Sequence, residues 1–230
     1  TVTIDGAFTN YPMEAPKLVS RGTPAYLLHT SGSTGAPKGI IQTRGMLWNL
    51  IAWQLSDLPM SSGDRVLQYS PFSFDVSMQE LLCSIASGAT LVLPDSSKRQ
   101  DYVQLLETIR RFKITHLFCP AFALNGLTWS SNERNQRCDS LRWVVTAGEQ
   151  LVVRDSLRTF FVRNPNARLV NQYGPTESHV VSRKFLSEDP QTWPELPTIG
   201  TPLPNCSLMV RSPTGQILPR GSIGELYIGG

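Results

Sequence analysis

The chain is short of charge. Charged residues make up 17% of its 230 positions, and 21 basic against 18 acidic residues leave a formal net charge of +3. So mild a balance offers no footprint for nucleic acid or an anionic membrane. The two basic clusters, Arg110-Arg111-Phe112-Lys113 and the stretch from Arg154 to Arg163, fall on expected helices and read as solvated faces. Histidine occurs three times. The four cysteines, Cys83, Cys119, Cys138 and Cys206, are scattered, with no C-x-x-C pair and no metal spacing toward the histidines. This reads as a reduced, cytoplasmic protein in which three of the cysteines are plain core residues. No apolar run approaches ~18 residues and no signal peptide appears, so nothing points to secretion or a membrane span. Internal repeats and low-complexity segments are also missing.

What the chain has is enough apolar material, 40%, for a sizeable core in one large domain or a domain and a half. Strand-like runs alternate with helical periodicity. Strands are expected at 25–29, 66–69, 90–93, 114–119, 141–146 and 169–172, and helices at 43–55, 102–112, 122–129 and 151–162. In a further helix, Met78, Leu81, Leu82 and Ile85 form an inward stripe closed by Gly88. This alternation is the signature of βαβ units in a doubly wound, mostly parallel α/β sheet with helices on both faces. After Val181 prolines crowd the chain, and two strands, 208–211 and 225–228, open a β-rich region. The expected division is an irregular lead-in over 1–24, an α/β nucleotide- and substrate-binding core over 25–190, and the beginning of a β-rich subdomain over 191–230. The abrupt end suggests a piece of something longer.

In such a sheet, ligands bind beyond the carboxyl ends of the strands. Four polar clusters fall at expected strand ends: 30–39, 74–77, 146–149 and 171–177. Thr30-Ser31-Gly32-Ser33-Thr34-Gly35-Ala36-Pro37-Lys38-Gly39 joins glycines, hydroxyls and a lysine after an apolar, buried-looking strand. Free backbone N–H groups, close approach at glycine and a cation suit a phosphate grip. It is not the common G-x-x-x-x-G-K-[ST] loop, and a plain surface loop is the competing reading. In Asn171-Gln172-Tyr173-Gly174-Pro175-Thr176-Glu177, the tyrosine suits stacking on a base, Asn171 a base edge, Thr176 a phosphate oxygen and Glu177 Mg²⁺. The competing reading is a Gly-Pro turn. Asp75 precedes a helix and is either its N-cap or a carboxylate held for a cationic substrate group. Glu149 is favoured by the dipole of the helix after it. His29 and His179 lie near these clusters without a proton-transfer role.

These motifs, with Gly224-Glu225-Leu226-Tyr227-Ile228-Gly229-Gly230 after them, resemble successive core motifs of the adenylate-forming (AMP-binding) enzymes, and more closely the adenylation domains of non-ribosomal peptide synthetases. The resemblance implies that an amino acid attacks MgATP to give an aminoacyl-adenylate and pyrophosphate. A phosphopantetheine thiol on a carrier domain of the same longer chain then takes the acyl group, with a condensation domain also expected there. It assigns the phosphates to Thr30, Ser31, Gly32, Ser33, Thr34, Gly35 and Lys38. Asn171, Tyr173, Gly174, Gly148 and Glu149 fall to the adenine side, Thr176 to a phosphate, and Glu177 to magnesium. Lys38, Thr176 and Glu177 are the expected catalytic set. Asp75 matches the partner of the substrate α-ammonium. Val76, Gln79, Phe118, Val145, Ala147, Gln172, Val180 and Val181 match the rest of the pocket, a mostly apolar lining with two amides that suits a mixed or moderately polar side chain.

The family's ribose-binding aspartate and C-terminal lysine match nothing here, so this stretch alone is expected to be inactive. An acyl- or aryl-CoA ligase is the nearest rival, disfavoured because a fatty-acyl pocket has no use for a buried Asp75. A non-catalytic nucleotide-binding or scaffold module is the rival from another class, disfavoured by intact Lys38, Thr176 and Glu177.

Overall fold

Each parallel strand carries a pair of neighbouring apolar residues that turn to opposite faces of one sheet. The computed structural model describes residues 20–30, 37–95 and 99–230. In it, strands β3 (Arg65–Leu67), β4 (Thr90–Val92), β5 (His116–Phe118), β6 (Trp143–Thr146) and β7 (Arg168–Tyr173) pair in parallel in the order β4-β3-β5-β6-β7. Leu67, Leu117, Val144 and Leu169 point into one hydrophobic cluster, and Val66, Phe118, Val145 and Val170 into another. That is the period of two expected for a sheet buried on both faces. Helices α3 (Tyr102–Arg111), α4 (Ala121–Glu133) and α5 (Asp155–Arg163) cover the first face with Leu106, Ile109, Leu124, Leu157 and Phe160. Helix α1 (Arg44–Asp57) covers the second with Leu50 and Trp53. The fold is therefore doubly wound, as the sequence predicts. Each fully buried Leu or Phe contributes roughly 1.5–3 kcal/mol, so this two-sided core outweighs any single polar contact in holding the sheet.

Local signals end the helices where the pattern suggests. The Thr43 side chain caps α1 by accepting the Met46 N–H, and Asp101 caps α3 by accepting from Val103 and Gln104. Helix α2 (Val76–Ser87) stops at Gly88, whose φ of 72° is left-handed.

Several expectations are corrected. The run at 25–29 is not a buried strand of the main sheet. It lies in β1 (Pro24–Thr30), which pairs antiparallel with β2 (Lys38–Thr43) as a separate hairpin, and only Leu28 of β1 is buried. The glycine-rich stretch thus follows a strand of this hairpin rather than a parallel strand of the main sheet; residues 31–36 lie outside the described residues. Helix α2 is turned from the expected orientation. Gln79, Glu80, Cys83 and Ser84 are buried, while Ile85 is 68% exposed. The small Cys83 and Ser84 allow close packing, and Glu80 has backbone donors waiting for it. Helix α4 is longer than expected, and α5 starts four residues later than expected. Two strands missed in the sequence, β8 (Ser182–Phe185) and β9 (Thr201–Pro202), extend the sheet antiparallel from β7. Strands β10 (Ser207–Arg211) and β11 (Glu225–Gly229) form a second hairpin.

His116, on β5, is fully buried beside Asp64, and burial pulls its imidazole down to about 4 against the upward pull of Asp64. A depressed histidine stays neutral in the fold and charges first in the unfolded chain. Its contribution is complete above about pH 6.5 and is lost as the pH falls toward 4, a swing of about 3 kcal/mol. His116→Gln should flatten the urea-unfolding stability profile between these pH values relative to the wild type; parallel profiles would contradict this.

Candidate functional site

The turn after β7 is a closed structure built around a glycine. A Cβ at Gly174 would collide with the His179 carbonyl, so only glycine fits there. Val181 N–H bonds to the Tyr173 carbonyl at 2.9 Å and returns the chain into β8. His179, buried and with φ 57°, lies in the left-handed region. The turn is held from two other elements. Gln42 on β2, 1% exposed, donates from Nε2 to the Thr176 carbonyl at 2.6 Å. The His179 ring bonds through Nε2 to the Asp75 carbonyl at 3.0 Å, and its Nδ1 accepts the Val180 N–H at 2.9 Å. The amide on Nδ1 leaves the proton on Nε2. Burial holds this imidazole below its usual range, so it is neutral.

Asp75 immediately precedes α2 with helical dihedrals (φ −60°, ψ −32°), and its carboxylate makes no cap hydrogen bond. The capping role weighed from the sequence is therefore not its role. Among the described residues no lysine or arginine pairs with it. It is close enough to act electrostatically on His179 and on Tyr26 of β1. The Tyr26 hydroxyl is buried without a hydrogen-bond partner, and burial, with the Asp75 charge, pushes its ionisation upward.

Of the expected pocket residues, Phe118, Val145 and Val180 share the second hydrophobic cluster, with Val76 packed against it. Val181 is buried, and Ala147 half-buried at the end of β6. Gln79 and Gln172 also meet, but they turn to each other. Gln79 Nε2 donates to Gln172 Oε1 at 3.1 Å and to Gln54 Oε1 of α1. All three amides are buried, and Gln54 was invisible in the sequence as part of this group. Gln54 Nε2, Gln79 Oε1 and Gln172 Nε2 keep no protein partner.

The nucleotide-side residues are less concentrated. Asn171 donates to the Thr198 carbonyl at 3.1 Å, and it sits beside Thr146, whose buried hydroxyl has no partner. Glu149 does not serve the helix after it; its carboxylate accepts the Phe122 N–H at 2.7 Å and caps α4. Gly148 has φ 90° with open space around its Cβ position, so backbone conformation alone requires glycine. Tyr173 and Thr176 are half-buried and Glu177 exposed. Thr30 and Lys38 face each other as the last pair of the β1–β2 hairpin. Ser31, Gly32, Ser33, Thr34 and Gly35 lie outside the described residues. Among the described residues no cluster of three His, Cys, Asp or Glu could hold a metal by itself. A single exposed carboxylate beside a threonine hydroxyl fits Mg²⁺ of the kind that keeps waters and binds chiefly through substrate phosphates.

A parallel sheet, wound on both faces, with polar turns after β6 and β7 is the layout of the α/β proteins that take a nucleotide at their strand ends. Within that class the chain belongs to the AMP-binding enzyme family, whose model matches residues 4–230. Gramicidin S synthase 2 of Aneurinibacillus migulanus is 35% identical over 208 residues, covering 89% of this chain and 5% of that protein. The L-proline--[L-prolyl-carrier protein] ligase of Streptomyces coelicolor is 34% identical over 212 residues, 91% of this chain and 40% of that protein. Among solved structures, the Vibrio cholerae adenylation domain AlmE in complex with glycyl-adenosine-5'-phosphate superposes with a TM-score of 0.77 at 26% identity, covering 91% of this chain and 40% of that one. The AMPPNP-bound non-ribosomal peptide synthetase FmoA3 gives 0.83 at 25% identity, covering 97% and 24%. The chain thus spans less than half the length of each of these proteins.

Proposed function

We propose that this chain forms the nucleotide- and amino-acid-binding core of an enzyme that activates an amino acid with ATP. The products are an aminoacyl-adenylate and pyrophosphate, and the acyl group then passes to a phosphopantetheine thiol on a carrier domain. The observation that carries the reading is Asp75. It is a carboxylate at the head of α2, uncapping and unpaired among the described residues, and its neighbour Val76 packs against the buried cluster that holds Phe118, Val145 and Val180. Such a group needs a cation, and a substrate ammonium supplies one. A fatty or aryl acid would leave it unpaired, so the CoA-ligase and scaffold readings are not favoured.

Lys38, with the Thr30–Gly35 loop, would face the phosphates. Tyr173 would stack on the adenine, beside Asn171, Gly148 and Gly174, and Thr176 and Glu177 would hold Mg²⁺. The bound ion neutralises phosphate charge as the substrate carboxylate attacks; the chain's own contribution is positioning and charge. With AMP-binding relatives that are long peptide synthetases, carrier and condensation domains in the same protein are part of the proposal. The four free cysteines and the use of ATP support a cytoplasmic setting. No described helix is long and apolar enough to cross a membrane.

The residues expected to line the amino-acid site leave little room, which suits a compact side chain. Phe118, Gln79 and Gln172 are bulky and fully buried, and Gln79 and Gln172 spend one polar atom each on one another while Gln79 Oε1 and Gln172 Nε2 keep no partner. L-Proline is the first substrate to assay, given the relative named for it, with glycine second. The test is ATP–pyrophosphate exchange by the full-length protein against a panel of amino, aryl and fatty acids. Exchange with a compact amino acid is the expected result; exchange with aryl or fatty acids alone would sink the proposal.

A further inference from the structure

Asp75 is fixed from outside its own helix by a single bond among the described residues. Its carbonyl accepts the Met78 N–H at 2.9 Å, the opening hydrogen bond of α2. It also accepts from His179, which lies 104 positions away on the turn after β7. The carboxylate itself has no cap bond to hold it. The orientation of Asp75 therefore depends on where α2 begins, and one lone pair of its carbonyl is committed to the imidazole. The imidazole cannot drift, because the Val180 N–H holds Nδ1 at 2.9 Å and the ring is buried. The turn behind it is anchored at Thr176 by Gln42 and closed at Gly174 against the His179 carbonyl.

We infer that His179 is a positioning residue for amino-acid binding: through its Nε2–H bond to the Asp75 carbonyl it ties the Tyr173–His179 turn to the anchor of the substrate ammonium. The inference rests on the role given to Asp75 above. It goes further in assigning a task to a residue outside the pocket lining, and in making one strut common to the nucleotide turn and the amino-acid anchor.

The experiment compares KM values in ATP–pyrophosphate exchange by the full-length protein. His179→Asn is the informative variant. Asparagine tolerates the left-handed backbone, and its Oδ1 lies near the place of Nδ1, so the Val180 contact survives. It is too short to reach Asp75. The expected result is a KM for the amino acid raised about tenfold, the order expected for losing one well-formed buried hydrogen bond, with KM for ATP, kcat and melting temperature little changed. His179→Gln, whose Nε2 lies nearer that of the imidazole, should recover part of the loss. An unchanged amino-acid KM in His179→Asn would overturn the inference. So would equal losses for both substrates together with a fall in melting temperature, since that is the mark of a merely structural residue. A wild type that exchanges with no amino acid overturns the function itself, and the inference with it, and is told apart because the unaltered protein is then the inactive one.

Discussion

Asp75→Ala is expected to abolish amino-acid-dependent ATP–pyrophosphate exchange, lowering kcat/KM on the order of a hundredfold or more while leaving ATP binding nearly intact. The size follows from desolvation. An ammonium brought against Val76 and the apolar cluster it packs on loses water and, in the variant, gains no counter-charge. The penalty for leaving one member of a buried charge pair alone exceeds that of an ordinary hydrogen bond. The selectivity follows from position. Asp75 does not cap α2, so its removal does not take away a helix-terminal bond. The Gln42 bond to Thr176 and the Gly174 closure, which shape the nucleotide turn, do not involve its side chain. Exchange kinetics and binding of a fluorescent ATP analogue measure the two quantities separately. Exchange that survives in Asp75→Ala would leave the residue as no more than the flank of a helix.

The second large effect is on stability. Glu80 is fully buried on α2, and its carboxyl oxygens accept the backbone N–H groups of Tyr69 at 3.1 Å and Ser70 at 3.0 Å, with Gln68 Nε2 at 3.4 Å. It thereby gathers the chain leaving β3, which leads to Asp75. Glu80→Ala leaves these three donors buried without an acceptor, and at roughly 1–3 kcal/mol for each unsatisfied group a loss of about 3–5 kcal/mol in urea unfolding is expected. That corresponds to a melting temperature lower by about 10 °C for a domain of this size. Glu80→Gln retains one oxygen for the two backbone donors and should cost much less. The pH dependence separates charge from shape. Burial pushes the Glu80 carboxyl up to about 8, outweighing the hydrogen bonds that favour its ionised form. A raised acid prefers its proton in the fold, so its contribution is full below about 4.5 and declines as the pH rises through 8. The Gln variant should therefore gain on the wild type between pH 5 and 8. Equal stability of Glu80→Ala and wild type would remove Glu80 from the support of this loop.

Much of the fold is legible in the chain. The alternation of apolar pairs with helical periodicity predicts the parallel strands, because a strand buried on both faces must be apolar at neighbouring positions. Errors arise where burial depends on what lies opposite. The apolar stripe Met78, Leu81, Leu82 and Ile85 points to one face of α2, yet the fold buries Gln79, Glu80, Cys83 and Ser84, because three backbone and amide donors from residues 68–70 meet Glu80 there. The run at 25–29 looks like any buried strand; its antiparallel partner at 38–43 is shadowed by the glycine-rich loop. Strands β8 and β9 are short and polar enough to carry no periodic signal.

By itself the sequence determined the class of sheet, the order of the motifs along it and the family they match, because these reside in local spacing, in glycine and proline punctuation and in residue identity. Only the tertiary structure decided which polar side chains meet. Gln42 and Thr176 are 134 positions apart, Asp75 and His179 are 104, and Gln79 and Gln172 are 93. Such pairs form when two sheet faces and a hairpin are packed to within a hydrogen-bond length. That distance is set by the volumes of side chains elsewhere in the core, not by any periodicity near the residues themselves.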